Sequence, residues 1–325
     1  MSLPVTPSRT GGRRRALGVG LVLASAVAFG SMPIMATVAY RSGTEPVALL
    51  AVRFVIGASV LTGIRMLRRA GLAWPDRPTL LTLFLLGAVG YFTQSMAFFF
   101  ALERIPAALV AILLYLYPAM VVAICAVLAR QRPRVAVLTC LAGALAGSAL
   151  TVGPVRGTVS AVGLLLGLAA ALTYAIYIVV SARVVVRVDA LTSSAVVCLG
   201  AATSFGLLTV VTRPHGPGDP GGWLAVVGVG VIGTVLAMLC FMAGLALIGP
   251  SDTSVTSTAE PVVTAVLGVT VLGEPLRPIQ SVGAALIVAS VALLARLPGS
   301  GQFPTTRRPP SNPAVAHTAV GKDTT

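Results

Sequence analysis

The sequence predicts an all-α membrane protein, with ten transmembrane helices arranged as two inverted five-helix repeats. Three observations predict it. Of the 325 residues, 56% are hydrophobic and only 10% charged, against about 25% charged in a soluble globular chain. The apolar residues fall in recurring runs, each near the roughly 20 residues a helix needs to cross a bilayer. A shift of 143 positions lays the first half of the chain on the second, Pro118 on Pro261 for example. Runs such as "ALVAILLYLYPAMVVAICAVL" do not alternate apolar with polar residues, which argues against a spanning β-barrel.

The first run, near 16–40, follows "RRR" at 13–15. Its start resembles a signal peptide. It continues through "MPIMATVAY", however, and reads as an uncleaved first spanning helix. Nine more helices follow near 46–66, 79–101, 105–128, 134–153, 158–182, 190–211, 222–247, 252–272 and 279–296. The connections are short and carry turn chemistry, as in "RSGTEP" at 41–46 and "RPHGPGDPGG" at 213–222. Residues 1–15 and 298–325 are polar and rich in Pro, Ser, Thr and Gly, and read as disordered tails. Between them stand two repeat units, 16–153 and 158–296.

The net charge of +14 sets topology rather than recruiting nucleic acid. There is no aromatic-plus-basic surface of the kind single strands require. With the N-terminus in the cytoplasm, Arg9, Arg13–Arg15, Arg65, Arg68, Arg69, Arg77, Arg130, Arg132, Arg134, Arg183, Arg187 and Arg296 all lie inside. Each outer connection then holds a single arginine: Arg41, Arg104, Arg156, Arg213 and Arg277. Such one-sided bias places both termini in the cytoplasm. The four cysteines sit in apolar runs without a C-x-x-C pair, and both histidines in polar segments. Neither a metal site nor a cofactor is expected.

The 143-residue shift also lays Gly20 on Gly163, Gly87 on Gly230, Gly90 on Gly233 and Phe98 on Phe241. It falls to about 140 in the last helix, where Gly143 meets Gly283. Five helices per half is an odd number, so the second half enters the membrane from the opposite side. Inverted repeats of this kind underlie alternating access in secondary transporters.

Three stretches carry a resemblance to a known family. They are "GYFTQSMAFFFALERIPAALVAILLYLYP" at 90–118, "AEPVVTAVLGVTVLGEPLRPIQSVGAALI" at 259–287, and the arginine of "LLAVRF" at 49–54. Over residues 16–296 the sequence resembles the drug/metabolite transporter superfamily, specifically its EamA-type ten-helix members. The resemblance implies export or exchange of small polar metabolites, often amino acids, across the plasma membrane. It departs from the family pattern after the fourth helix, where a basic cluster, Arg130 to Arg134, replaces the family's "GE".

Glu260 is the residue a membrane helix least favours, since a buried charge costs about 2.5–3.5 kcal/mol on insertion scales. It lies about 12 Å into the ninth helix, with Thr253, Thr256, Ser257 and Thr264 at three- and four-residue spacing on its face. The corresponding face of the fourth helix is Val110, Leu113, Leu114, Tyr117 and Val121, so only the second half carries a polar stripe. Pro118 and Pro261 are matched prolines, each expected to kink its helix and free the carbonyl four residues back, of Leu114 and Ser257. Tyr91, Gln94, Tyr115, Tyr117 and Tyr174 are further cavity candidates. Arg53, roughly 10 Å deep in the second helix, either snorkels outward or holds an anionic group. Substrate contact or proton coupling is therefore expected of Glu260, Arg53, Tyr117, Tyr91, Gln94, Thr256, Ser257 and Tyr174, shaped by Pro118 and Pro261.

The reading is a secondary transporter for small polar metabolites or drug-like solutes. Its partners are the solute and the lipid bilayer, and a homodimer stays open. A membrane-embedded enzyme would need a nucleophile–base pair, metal cluster or acidic pair on the membrane faces, and none is seen. A sensor or scaffold would need a substantial cytoplasmic domain.

Overall fold

The computed structural model describes residues 9–68, 74–152, 160–273, 275 and 277–297. Arg69, Arg156, Glu274 of "LGEP", and the tail segments 1–8 and 298–325 lie outside them. Every regular element among the described residues is a helix, with no strand. Ten helices follow one another among the described residues: α1 Arg9–Arg41, α2 Pro46–Leu67, α3 Arg77–Leu102, and α4 in two pieces, Ala107–Leu114 and Tyr117–Ala129. Then come α5 Val135–Val152, α6 Ala161–Val184, α7 Ala190–Thr212, α8 at 220–248, α9 in two pieces at 250–257 and Glu260–Leu272, and α10 Pro278–Arg296. The helix of α1 runs back to Arg9, into the segment that the sequence reads as a tail.

Start signals are local. Pro46, Pro78, Pro118, Pro220, Pro261 and Pro278 each stand in a first turn, where a missing N–H costs no helical bond. Asp189 and Asp219 cap α7 and α8 by accepting from the backbone N–H of Thr192 and Gly222, at 2.8 and 2.7 Å. Between α8 and α9 the whole connection is one residue. Gly249 adopts φ 77° and ψ 173°, a conformation that penalises any side chain, and Pro250 follows it.

The packing maps onto itself when the halves are exchanged. α1 lies on α8 and α9 as α6 lies on α3 and α4, and α2 meets α8 as α7 meets α3. The pairs α2–α7 and α5–α10 join repeat mates to each other. At the α5–α10 crossing the backbones nearly touch: a Cβ on Gly147 would lie 2.7 Å from the Gly283 carbonyl oxygen. Lipid tails give helices no hydrophobic reason to associate, so close approach through small residues does that work. The outer surface is correspondingly apolar. Leu67, Leu165, Leu207, Val211 and Leu224 are all more than three-fifths exposed, whereas Ser181, Ser193, Ser194 and Thr253 are fully buried.

The repeat shows most clearly in the irregularities. The break in α4 begins after Leu114 and that in α9 after Ser257. The second pieces begin at Tyr117 and Glu260 and end at Ala129 and Leu272. Each is followed by a left-handed residue, Arg130 at φ 51° and Gly273 at φ 70°. All four pairs keep the 143-residue register. Both α3 and α8 also contain a π-helical turn, Leu86–Tyr91 and Val231–Leu236, a feature frequent at functional sites.

Candidate functional site at the paired helix breaks

At Thr258 and Ala259 the α9 backbone tightens. Thr258 N–H donates to the Val255 carbonyl at 3.3 Å, and Ala259 N–H to that of Thr256 at 3.2 Å. A new helix then starts with Glu260 as its first residue and Pro261 as its second. In α4, Leu116 N–H donates to the Leu113 carbonyl at 3.1 Å before Tyr117 and Pro118 restart the helix. Pro118 and Pro261 stand in the first turn of the second pieces, and the short-range turns before them close onto the Leu113, Val255 and Thr256 carbonyls.

The break also alters what Glu260 experiences. A carboxylate in the first turn meets the positive end of the helix dipole, which stabilises it by about 0.3–1 kcal/mol. That offsets only part of the insertion cost. One carboxylate oxygen, Oε1, is buried without a hydrogen bond, and so are Ser257 Oγ, Thr253 Oγ1, Tyr117 Oη and Tyr177 Oη. Glu260 lies within electrostatic reach of Tyr115, Tyr117 and Tyr174. The charge of Glu260 thus acts on its own repeat mate, Tyr117, and on Tyr115, both at the break in α4.

α1 crosses this point. Thr264 Oγ1 donates to the Gly30 carbonyl at 2.8 Å, and a Cβ on Gly30 would stand 2.7 Å from the Glu260 carbonyl oxygen. From Glu260 an aromatic row leads away. Tyr117 and Tyr174 have ring centroids 4.6 Å apart, Tyr174 and Tyr177 6.1 Å, and Tyr177 and Tyr91 5.8 Å. Arg53 stands at the end of the row. It is 4% exposed and does not snorkel. One guanidinium nitrogen donates to Tyr91 Oη at 3.1 Å and another to Met32 Sδ at 2.7 Å, while the group stacks 4.4 Å over the Phe54 ring. No carboxylate among the described residues pairs with it.

The structure thus brings Glu260, Ser257, Tyr117, Tyr174, Tyr91 and Arg53 into one connected set. Thr256 is buried beside them, but its hydroxyl donates to the Asp252 carbonyl at 2.7 Å. Gln94 is half-buried and accepts from Ser95 Oγ at 3.4 Å. Sequence reasoning missed one ion pair. Arg15 donates to Asp252 Oδ2 at 2.7 Å and to the Leu294 carbonyl at 2.8 Å. The only signal was an acid opening an apolar run, because the partners are 237 positions apart. A groove lined by Leu21, Arg68, Asp189, Leu239 and Cys240 lies elsewhere, and none of the unpartnered polar atoms opens into it.

Comparison with known proteins bears on this architecture. The inner membrane transporter YicL of Salmonella typhimurium (strain LT2), itself uncharacterised, is 30% identical over 227 residues, which cover 67% of this chain and 74% of that protein. A protein solved by crystallography, at 24% identity, matches with a TM-score of 0.75 over 86% of this chain and 96% of its own, and so shares the fold. The model of the EamA-like transporter family matches twice, at residues 16–153 and 161–296. With both halves matched, the chain belongs to the EamA-like transporter family and is a multi-pass membrane transporter.

Proposed function

We propose that this protein exports small polar metabolites, amino acids among them, or drug-like solutes across the plasma membrane by alternating access. Glu260 and Tyr117 stand at its central site. The observation that carries the reading is a pair of helix breaks at positions matched by the repeat, one of which holds a membrane-embedded carboxylate with a buried unpartnered oxygen. Transporter sites form where discontinuous helices meet near the midplane. Two similar halves in opposite orientation can exchange conformations, closing one side as the other opens.

In this reading Ser257, Tyr174 and Tyr91 line the solute path with Glu260, and Arg53 holds its far end in shape or meets an anionic group. Thr256 and Gln94 support the walls. Both termini face the cytoplasm, in keeping with the arginine distribution, and the inner-membrane relative supports the plasma membrane as location. Glu260 contacts the solute or carries a coupling proton. The groups facing it that could share in such titration are Tyr115, Tyr117 and Tyr174.

A purely structural hydrogen bond from Glu260 to a neighbouring helix is less well supported, since Oε1 has no partner. The test begins by comparing metabolites accumulated by cells with and without the gene, which identifies a transported solute. Transport of that solute is then measured for Glu260→Gln, which keeps size and most hydrogen bonding but removes the charge. A Gln variant matching wild type in rate and pH dependence overturns the role given to Glu260.

A further inference from the structure

We infer that the pocket around Glu260 takes the cationic end of an organic amine or ammonium solute, with the carboxylate as counter-charge and Tyr115, Tyr117 and Tyr174 as its walls. The inference rests on the reading of this point as the central transport site, and it adds the chemical class of the solute. A carboxylate held among apolar groups needs a partner of opposite charge. Among the described residues the other acidic side chain within the membrane-spanning helices, Asp252, has a basic partner in Arg15, and Asp189 and Asp219 at helix starts accept from backbone N–H groups. Glu260 has no basic partner among them, and one of its oxygens is buried without any hydrogen bond.

The only other strong charge of the aromatic row, Arg53, is committed to Met32, Phe54 and Tyr91. The groups within electrostatic reach of Glu260 are instead three tyrosines. Two of their rings, Tyr117 and Tyr174, meet at 61° with centroids 4.6 Å apart. Aromatic faces carry negative charge density and attract a desolvated ammonium. Two further acceptors wait beside the carboxylate. Tyr117 and Ser257 are each 1% exposed, and their hydroxyls lie within reach of each other, each with an oxygen lone pair left to accept. A hydroxyl oxygen can accept from an N–H donor, so an ammonium group satisfies carboxylate and hydroxyls together. A carboxylate-bearing solute would meet repulsion at the same point. Glu260, Tyr115 and Tyr174 are half-buried rather than sealed, which leaves the pocket open to a ligand.

The test uses the full-length protein purified in detergent and three probes of one shape: phenethylammonium, 2-phenylethanol and 3-phenylpropionate. Binding is measured by titration calorimetry for the wild type and for Glu260→Gln, Glu260→Asp and Tyr174→Leu. Size-exclusion profiles establish that each variant is folded. The expected result is a cation bound at least tenfold more tightly than the alcohol, with the anion weakest. Glu260→Gln abolishes this preference, Glu260→Asp retains it, and Tyr174→Leu weakens the cation severalfold. Equal binding of all three probes, weakened alike by Glu260→Gln, overturns the cationic class while leaving the central site standing. A cation preference untouched by Glu260→Gln overturns both. Binding of none of the probes overturns the proposed class.

Discussion

Arg15 and Asp252 close one end of the bundle. Their 2.7 Å ion pair joins the start of α1 to the start of α9, and the second arm of Arg15 reaches the last turn of α10 through the Leu294 carbonyl. Asp252 is fully buried and Arg15 is 16% exposed, so the two partners are not equivalent. Removing one member of a buried pair costs about 3–5 kcal/mol when the other stays buried. Arg15→Ala leaves the carboxylate in place and should lower thermal stability in detergent by an amount near this range. Asp252→Asn should cost less, because Arg15 can turn outward. Equal melting temperatures for the two variants would contradict the asymmetry.

Gly30 allows α1 to lie against the α9 break. A methyl there would stand 2.7 Å from the Glu260 carbonyl oxygen and 2.8 Å from Val263 Cβ. Overpacking of this kind typically costs about 1–3 kcal/mol. Gly30→Ala should therefore reduce transport at least tenfold and lower stability. Gly20→Ala, at a position with open space around it, should change neither. Normal transport by the Gly30 variant would mean that α1 is not seated on the break.

Arg53 is held by stacking as much as by hydrogen bonds. Lysine has neither the flat fork nor the reach to stack over Phe54 while bonding Tyr91 and Met32. Both Arg53→Ala and Arg53→Lys are expected to abolish most transport while the protein still reaches the membrane, as measured by membrane-fraction immunoblot and solute uptake. Full activity of the lysine variant would reduce Arg53 to a simple positive charge.

Topology is tested by fusion. A reporter active only outside the cytoplasm should give signal at residue 217 and none at residue 131. The opposite pattern would invert the orientation proposed from the arginines.

The connections after α1 and α7 meet away from Arg15. Glu45 N–H donates to the His215 carbonyl at 2.9 Å, and His215 Nδ1 lies 2.8 Å from Glu45 Oε1. That hydrogen bond holds the Glu45 carboxyl below its ordinary value of 4.5. A depressed carboxyl contributes stability above its unfolded value and loses it as pH falls through its folded one. Protection of the Glu45 amide against hydrogen exchange should therefore be complete at pH 7 and decline below pH 4.5. Unchanged protection at pH 3, or the same profile in His215→Ala, would show that the pair does not hold these connections together.

Much of this was legible in the sequence, and the parts that were not have physical reasons. Helix number, order and repeat follow from hydropathy and from glycines and prolines kept in register, because a spanning helix must carry all its backbone bonds within itself. Glu260 was conspicuous because a charge is costly in lipid. The breaks were not legible. A proline within an apolar run reads as a kink, and only the backbone shows that Pro118 and Pro261 open new helices. Arg53 read equally well as a snorkelling residue, since periodicity fixes its depth but not its neighbours. The Arg15–Asp252 pair needed the fold itself, because nothing local links two residues in different repeats. Asp252 and its repeat mate Leu109 also break the symmetry, which no shared motif would reveal.

The single-residue turn at Gly249 has a mechanical consequence. A joint that short cannot absorb torque, so any swing of α8 is passed directly to α9 and to the carboxylate on it. α1 rides with them, through its packing along α8 and the clamp at Arg15. In the other half, α3 and α4 are joined by four residues, 103–106, and among the described residues no ion pair joins α6 to the start of α4. The two halves are thus joined differently at equivalent points, by one residue and a buried ion pair in one and by four residues in the other, so a duplicated architecture need not be mechanically symmetric.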